Sequence, residues 1–210
     1  MLHRINLENV LFLDIETVPQ HELYAELTEE EQGLWEEKTR YLRKDEYSAE
    51  EYYERAGIWA EFGKIVCISV GYFSFRHQQR TFRVRSFVGD ERRLLMDFVR
   101  LVEEHFSRPN HLLCAYLLRR MIINRIAIPQ KLQFFGKKPW EVPHLDTLEL
   151  WKFGDYKHYT SLKLLAYTLG VPSPKDDIDG SEVRDVYYEE GDVDRIAVYC
   201  EKDTITVAQL

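Results

Sequence analysis

A short apolar run near the N-terminus constrains the fold more than any other part of this 210-residue chain. The run V-L-F-L-D-I-E-T-V, from Val10 to Val18, is rich in strand-forming residues and is closed by Pro19. A continuous apolar run of this length that ends at a proline is typical of a strand buried on both faces. We therefore expect a central strand of an α/β sheet, in a chain whose 45% hydrophobic content can supply a core.

The remaining chain carries further strand and helix signals. Lys64 to Phe75 and Arg80 to Phe87 predict a β-hairpin around a polar turn. Between Ala115 and Tyr116 no turn or capping residue separates a predicted strand from a predicted helix, so either that strand prediction is wrong or residues are missing at this junction. Helices are expected over 91–106, 116–128, 161–169 and 192–210, and strands over 111–115 and 142–147.

Negative charge is concentrated in one segment. The net charge is −8, and the stretch from Gln20 to Gly57 has twelve acidic and five basic residues, which leaves the rest of the chain at −1. We expect residues 20–57 to form a helical and mostly solvated insertion within a single domain that covers residues 1–210. Because its charge would repel nucleic acid, we expect the insertion to wall a cleft or to face a protein partner.

The cysteines indicate a reducing environment. Cys67, Cys114 and Cys200 are far apart and form no C-x-x-C pair, which argues against a disulfide framework or a zinc knuckle. The N-terminal apolar run is broken at Asp14, so it predicts neither a signal peptide nor a spanning helix. We expect buried reduced thiols in a cytoplasmic protein.

Two carboxylates interrupt the N-terminal strand. Asp14 and Glu16 are two residues apart, so on a strand both side chains point to the same face. Side by side they repel each other unless a cation neutralises them, and Mg²⁺ prefers such oxygen ligands. The alternative is a strand end that becomes polar as it reaches solvent.

The last predicted helix offers two more candidates. Tyr199 and Asp203 are four residues apart and therefore lie on one face of the helix. Alone, they would be a core aromatic side chain and an exposed charge. Together with the strand carboxylates, Asp203 becomes a third metal ligand and Tyr199 a phenol that can orient a water molecule.

These residues carry a family resemblance. F-L-D-I-E-T-V-P near the start and Y-C-E-K-D near the end resemble the first and third motifs of the DEDD superfamily of 3'-5' exonucleases, and Tyr199 fits its tyrosine variety. The loop S-P-K-D-D-I-D-G-S-E-V, from Ser173 to Val183, is similar to predicted exonucleases related to the proofreading domain of family-B DNA polymerases. The resemblance implies a ribonuclease H-like three-layer α/β fold with a central mixed five-stranded sheet.

The same resemblance implies a chemistry. Two Mg²⁺ or Mn²⁺ ions held by Asp14, Glu16 and Asp203 would promote phosphodiester hydrolysis, with Tyr199 on the attacking water and nucleoside monophosphates released from DNA 3' ends. The backbone at Thr17 and Val18 would lie near the terminal nucleotide. Lys137 and Lys138, beside Trp140, have the composition of a loop that contacts single-stranded DNA, although a solvated turn explains them equally well.

One motif of the family is absent. The second motif, an H-N-x-x-x-F-D segment after the fourth strand, would supply a further aspartate, but H-L-L-C-A meets Y-L-L-R-R directly at Ala115 and Tyr116. This departure leaves two alternatives to a DNA exonuclease. One is an inactive nucleic-acid-binding or scaffold protein on the same fold, and the other is a 3'-5' exoribonuclease, because the sequence does not report on contacts to a 2'-hydroxyl.

Overall fold

A computed structural model describes residues 6–44, 46–76, 78–105, 115–133, 136, 146–153, 155, 157, 159–172 and 177–210. The principal elements are β1 (Phe12–Pro19), α1 (Glu29–Arg43), a 3₁₀ helix (Glu51–Ile58), β2 (Gly63–Arg76), β3 (Gln79–Val88), α2 (Glu91–His105), α3 (Ala115–Ile123), α4 (Thr147–Lys152), α5 (Leu162–Leu169), α6 (Val183–Asp185), a π-helical turn (Val186–Glu190) and α7 (Val193–Gln209). The predicted hairpin and the predicted first strand are confirmed, as are the helices that begin near residues 91, 161 and 192.

The described sheet has three antiparallel strands in the order β1-β2-β3. In its ladder Asp14 lies opposite Ser69 and Glu16 lies opposite Cys67, and a bulge follows Glu16. The central strand among the three is β2, whereas β1 had been expected there. The strand predicted over 111–115 lies almost entirely outside the described residues.

The five-stranded mixed sheet is therefore not seen in the part of the chain that the structure describes. Of the fourth predicted strand, only Ala115 is described, and it begins α3 rather than ending a strand. Of the fifth, residues 142–145 lie outside the described ranges, Asp146 caps α4 and Thr147 begins that helix. The mixed α/β character agrees with a ribonuclease H-like fold.

The two faces of the sheet are covered by different helices. On one face α2 and α3 pack an apolar core that includes Ile68, Val70, Phe87, Leu94, Phe98, Leu117 and Met121. On the other face α7 packs over residues that include Val18, Cys67, Ile196, Tyr199 and Cys200. Since neighbouring residues of a strand point to opposite faces, β1 directs Ile15 toward α2 and α3, and its carboxylates toward α7.

A buried ion pair joins α2 and α3. Nε of Arg120 donates to Oε1 of Glu91 over 2.7 Å, while Glu91 also accepts from the backbone N–H of Ile65 and from Asn124. Arg120 further donates to the carbonyl of Ala60. Moving two charges out of water costs free energy, so a buried ion pair is stable only when hydrogen bonds satisfy both groups. Removal of either partner would leave an uncompensated buried charge.

Most residues of the 20–57 insertion are exposed, as expected, but the insertion also has a small core of its own. Its helix α1 begins with a capping box between Thr28 and Glu31. Trp35 is fully buried against the rings of Tyr53 and Trp59. Tyr52 and Tyr53 of this acidic segment therefore converge on the indole of Trp35, together with Trp59 and Phe62, which follow the segment.

The remaining helix ends follow the sequence signals. Asp192 accepts a hydrogen bond from the backbone N–H of Arg195 and caps α7, and Ser161 caps α5 in the same way. Gly170 ends α5 with φ of 71°, a conformation that favours glycine. No helix among the described residues is long and apolar enough to cross a membrane.

Candidate active site

Strand β1 and helix α7 bring the sequence-predicted residues together on one face of the sheet. Asp14 and Glu16 project from β1, and α7 packs across that face. One oxygen of each carboxylate and the sulfur of Cys200 lie within 4.8 Å of one another. The Cys200 sulfur is 3.7 Å from Oδ2 of Asp14. Two predicted metal ligands are therefore adjacent, as the spacing of two on a strand required.

Helix α7 places the other two predicted residues beside this pair. Tyr199 and Asp203 are 6% and 8% exposed, and the Tyr199 hydroxyl hydrogen-bonds to the Asp203 carboxylate. Burial raises the pKa of Tyr199 well above its usual range, and the negative charges of Glu16, Asp203 and Asp14 raise it further. The phenol therefore stays protonated at neutral and moderately alkaline pH.

Cys200 is the residue that sequence reasoning missed at this site. It lies one position after Tyr199 and is fully buried, as is Cys67, which faces Glu16 across the β1–β2 ladder. Burial, a hydrogen bond with Cys67 and the charge of Asp14 raise the pKa of the Cys200 thiol. Both cysteines are free and buried, as predicted, and Cys114 lies outside the described residues. The signal available in the sequence was the Y-C pair itself, since position 200 shares the core-facing band of α7.

The donor set fits one hard divalent cation. Asp14 and Glu16 supply two carboxylates, and Asp203 supplies a third nearby on α7. Asp203 is not a member of the compact group that Asp14, Glu16 and Cys200 form. Among the described residues, the buried hydroxyl of Ser69, directly opposite Asp14, has no hydrogen-bond partner, so a polar ligand on this face would satisfy it. The oxygen donors are of the type that Mg²⁺ and Mn²⁺ prefer.

A second cation would have fewer carboxylate ligands than the first. The chain contains neither Asp nor Glu from residue 105 to residue 140, the stretch in which the missing motif would lie, and it contains seven Lys or Arg there. The residues present therefore do not fit a pair of ions in the way that they fit one.

A loop that follows α5 lies over Tyr199. A side-chain carbon added at Gly180 would be 3.8 Å from the Tyr199 hydroxyl oxygen. Arg195 of α7 holds this loop, since it donates to Asp177 over 2.8 Å and to Glu190 over 2.6 Å. Sequence reasoning treated this segment as a polar loop and missed Arg195 as the side chain that fixes it.

The residues predicted to contact the nucleotide are Thr17, Val18, Lys137 and Lys138, and the structure describes only the first two. The 3₁₀ helix of the insertion packs against the backbone at Thr17 and Val18, where a side-chain carbon on Gly57 would come within 3.0 Å of Val18. This packing agrees with an insertion that walls the site. Lys137 and Lys138 lie outside the described residues.

Lys64 of β2, which was not predicted as a site residue, lies beside the C-terminal end of β1. The ammonium group of Lys64, opposite Val18, is 4.9 Å from the ring centre of Tyr187 and 5.0 Å from that of Tyr188. Burial lowers the pKa of Lys64. The Tyr188 hydroxyl donates to the carbonyl of Pro19 over 2.6 Å and fixes this aromatic pair. Lys64 and Tyr187 line a cleft of about 420 Å³ together with Gln20, Asp90 and Arg92.

Comparison with known proteins bears on this geometry. Residues 130–208 match a family described as predicted 3'-5' exonuclease related to the exonuclease domain of PolB. This is the family that the motifs indicated. The match includes Tyr199 and Asp203 on α7, and β1 with its two carboxylates precedes it. No curated protein matches the chain.

The family match supports a nuclease-like function at the level of the family. The tyrosine subtype stays a prediction from the spacing of Tyr199 and Asp203. The geometry adds that β1, outside the matched range, delivers Asp14 and Glu16 to the same side of the sheet as α7.

Proposed function

We propose that the chain is a metal-dependent 3'-5' exonuclease of the tyrosine variety that removes nucleoside monophosphates from DNA, with single-stranded 3' ends as substrate. The observation that carries this proposal is the convergence of Asp14 and Glu16 of β1 with Tyr199 of α7 on one face of the sheet. Two free thiols buried at this site also fit the reducing cytoplasm that the cysteine usage favours.

Three carboxylates would hold the cation. Asp14, Glu16 and Asp203 would bind Mg²⁺ or Mn²⁺, which when bound lowers the pKa of a water molecule and stabilises charge on the phosphate. A two-ion mechanism needs one more carboxylate than the described residues supply. The proposal therefore relies on the single ion for which the donors are present.

Tyr199 would orient the attacking water. Because its hydroxyl donates its hydrogen to Asp203 and stays protonated, the phenol oxygen keeps lone pairs that can accept a hydrogen bond from water. The loop at Gly180 limits the free volume beside that oxygen. A water molecule held in one orientation has already lost its rotational freedom before the reaction, so less entropy is lost on reaching the transition state and hydrolysis is faster.

The surroundings suit an extended DNA end. The cleft beside the C-terminal end of β1 is lined by Lys64, Arg92 and Tyr187 as well as by the acidic Asp90 and Glu91. Its two basic side chains and its tyrosine ring would contact phosphate and base, as such residues do in grooves for single strands. The insertion packs beside Thr17 and Val18 and would wall the cleft. Its acidic outer surface would repel a second strand or face a protein partner.

The acid-free stretch from residue 105 to residue 140 favours a second candidate. With only three of the four carboxylates of the family pattern, the fold could bind DNA or act as a scaffold without cleaving it. Apart from Arg120, which is buried in its ion pair with Glu91, the basic residues of that stretch would contribute to phosphate binding in either case.

A 5'-labelled oligonucleotide separates the two candidates. With Mg²⁺ or Mn²⁺ the enzyme should yield a ladder of shortened products, which a chelator and the substitution Asp14→Asn both abolish. Glu61→Gln, a carboxylate change elsewhere on the chain, is the control and should leave the ladder unchanged. Binding without shortening would support the scaffold, and shortening of an RNA oligonucleotide alone would identify an exoribonuclease.

A further inference from the structure

The thiol of Cys200 belongs to the compact donor group, yet the proposed hydrolysis makes no use of it. Its sulfur lies 3.7 Å from Oδ2 of Asp14. With Glu16 included, the three donor atoms are within 4.8 Å of one another. The side chain is fully buried on α7, so it presents its sulfur to the carboxylates and not to solvent.

The thiol of Cys200 donates a hydrogen bond to Oδ2 of Asp14, and the separation of these two atoms also suits two ligands of a tetrahedral cation. With a Zn–S bond of about 2.3 Å and a Zn–O bond of about 2.1 Å, tetrahedral ligands of zinc lie roughly 3.6 Å apart. The observed distance from sulfur to oxygen is 3.7 Å. Mg²⁺ takes oxygen ligands almost exclusively, whereas thiolates select softer ions. The donor set of this group therefore differs in chemistry from the set of three carboxylates.

An independent feature points to a polar ligand at the same place. Ser69 faces Asp14 across the ladder, is fully buried, and its hydroxyl has no hydrogen-bond partner in the structure. An unsatisfied buried hydroxyl destabilises the fold. A cation beside Asp14, with a water molecule in its remaining coordination position, would give this hydroxyl a partner.

We propose that Asp14, Glu16 and Cys200 form a binding site for a thiophilic divalent cation such as Zn²⁺, and that occupation of this site inhibits the enzyme. On binding, the cation replaces the thiol proton, which passes to the buffer. Because Asp14 and Glu16 serve both sites, Zn²⁺ and the hard catalytic cation exclude each other. Binding of Zn²⁺ at this site does not depend on the proposed nuclease function, whereas the inhibition rests on it.

Co²⁺ is the spectroscopic probe for binding. Added to the full chain without Mg²⁺, it should produce thiolate-to-cobalt charge-transfer absorption in the near ultraviolet, and Zn²⁺ should abolish that band by displacement. Cys200→Ser should lose the band and about a hundredfold in Co²⁺ affinity. Cys114→Ser is the matched control and should keep both. Absence of the band in the unmodified chain at saturating Co²⁺, or its persistence in Cys200→Ser, would overturn the proposal.

A second variant guards against misfolding of the buried substitution. Circular dichroism shows whether Cys200→Ser is folded. Asp14→Asn changes a half-buried position, and it should weaken Co²⁺ binding by at least about tenfold while the charge-transfer band still appears at saturation. Unchanged Co²⁺ affinity in Asp14→Asn would remove Asp14 from the site and contradict the proposal.

Nuclease assays test the inhibitory part. Zn²⁺ should suppress Mg²⁺-supported shortening of DNA, and half-inhibition of Cys200→Ser should need at least about tenfold more Zn²⁺, each protein being compared with its own rate without Zn²⁺. Equal sensitivity of both proteins would overturn the inhibition. A cobalt band in a chain that shortens no oligonucleotide would support the binding site and count against the nuclease, so the two failures are distinguishable.

Discussion

The two faces of the sheet are built on different principles. The face toward α2 and α3 is apolar, and the buried ion pair of Glu91 with Arg120 is supported there by further hydrogen bonds. The face toward α7 collects two carboxylates, two thiols and an unsatisfied serine hydroxyl. Charges and unpaired polar groups in a core cost stability, so a fold retains them where they perform chemistry. We infer that stability resides mainly on the first face and function on the second.

The largest expected effect lies on the apolar face. Phe98 of α2 is fully buried, and Phe98→Ala should lower the free energy of unfolding by about 3–5 kcal/mol through lost contacts and a new cavity. Urea unfolding would measure the loss, with the exposed Met96→Ala on the same helix as control. The rate of DNA shortening per folded molecule should not change. A stable but inactive Phe98→Ala protein would break the distinction between the faces.

Breaking the buried ion pair should have the next largest effect, a decrease of about 3 kcal/mol in the free energy of unfolding. Arg120→Met leaves the Glu91 carboxylate buried without its partner and also removes the hydrogen bond to Ala60. The double variant Glu91→Gln with Arg120→Met should recover part of the loss, because no uncompensated charge remains. Thermal unfolding of the two variants measures this difference. If the double variant were less stable than Arg120→Met, the pair would not act through charge compensation.

On the polar face, Tyr199→Phe should affect the rate of shortening more than the stability. Removing the hydroxyl abolishes the hydrogen bond to Asp203 and the orientation of the attacking water, which should lower the rate of shortening by about tenfold. Single-turnover digestion of a labelled oligonucleotide gives this number. Tyr167→Phe, at an exposed position on α5, is the control. Unchanged single-turnover rates would show that Tyr199 belongs to the core alone.

The smallest effect is expected at the edge of the site. Tyr188→Phe removes the hydrogen bond to Pro19 and should cost about 1 kcal/mol. Burial raises the pKa of Tyr188 above its ordinary value of 10.0, so the folded state holds the phenol proton more tightly than the unfolded state. This contribution is fully present below pH 10 and is lost as the pH rises further. Stability measured from pH 8 to pH 11 should therefore fall less steeply in Tyr188→Phe, and an identical slope would contradict this assignment.

Local patterns predicted the elements that carry the site. The run around Asp14 and Glu16 required a strand with both carboxylates on one face, and the spacing of Tyr199 and Asp203 required one face of a helix. That β1 and α7 meet depends on long-range packing, which entered the prediction only through the family resemblance. Cys200 was missed because its role depends on a contact with Asp14, 186 residues earlier in the chain.

Other features depended on packing that no local pattern reports. The insertion looked solvated because its charged residues outnumber its aromatic ones, yet Trp35 gathers those rings into a core. The pairing of Glu91 with Arg120 joins two helices whose separate patterns gave no reason to connect those positions. At Ala115 the apolar residues suited a strand and a helix equally, and the absence of turn residues was the one signal against the strand.

The most direct test compares two neighbours on β1 whose side chains face opposite ways. Ile15 packs toward the apolar core, whereas Glu16 belongs to the donor group. Glu16→Gln should lower the rate of DNA shortening by about a hundredfold or more and leave the melting temperature nearly unchanged. Ile15→Ala should lower the free energy of unfolding by about 2 kcal/mol or more and leave the rate per folded molecule unchanged. Full activity in Glu16→Gln, or equal losses of rate and stability in both variants, would contradict the assignment of chemistry to the α7 face.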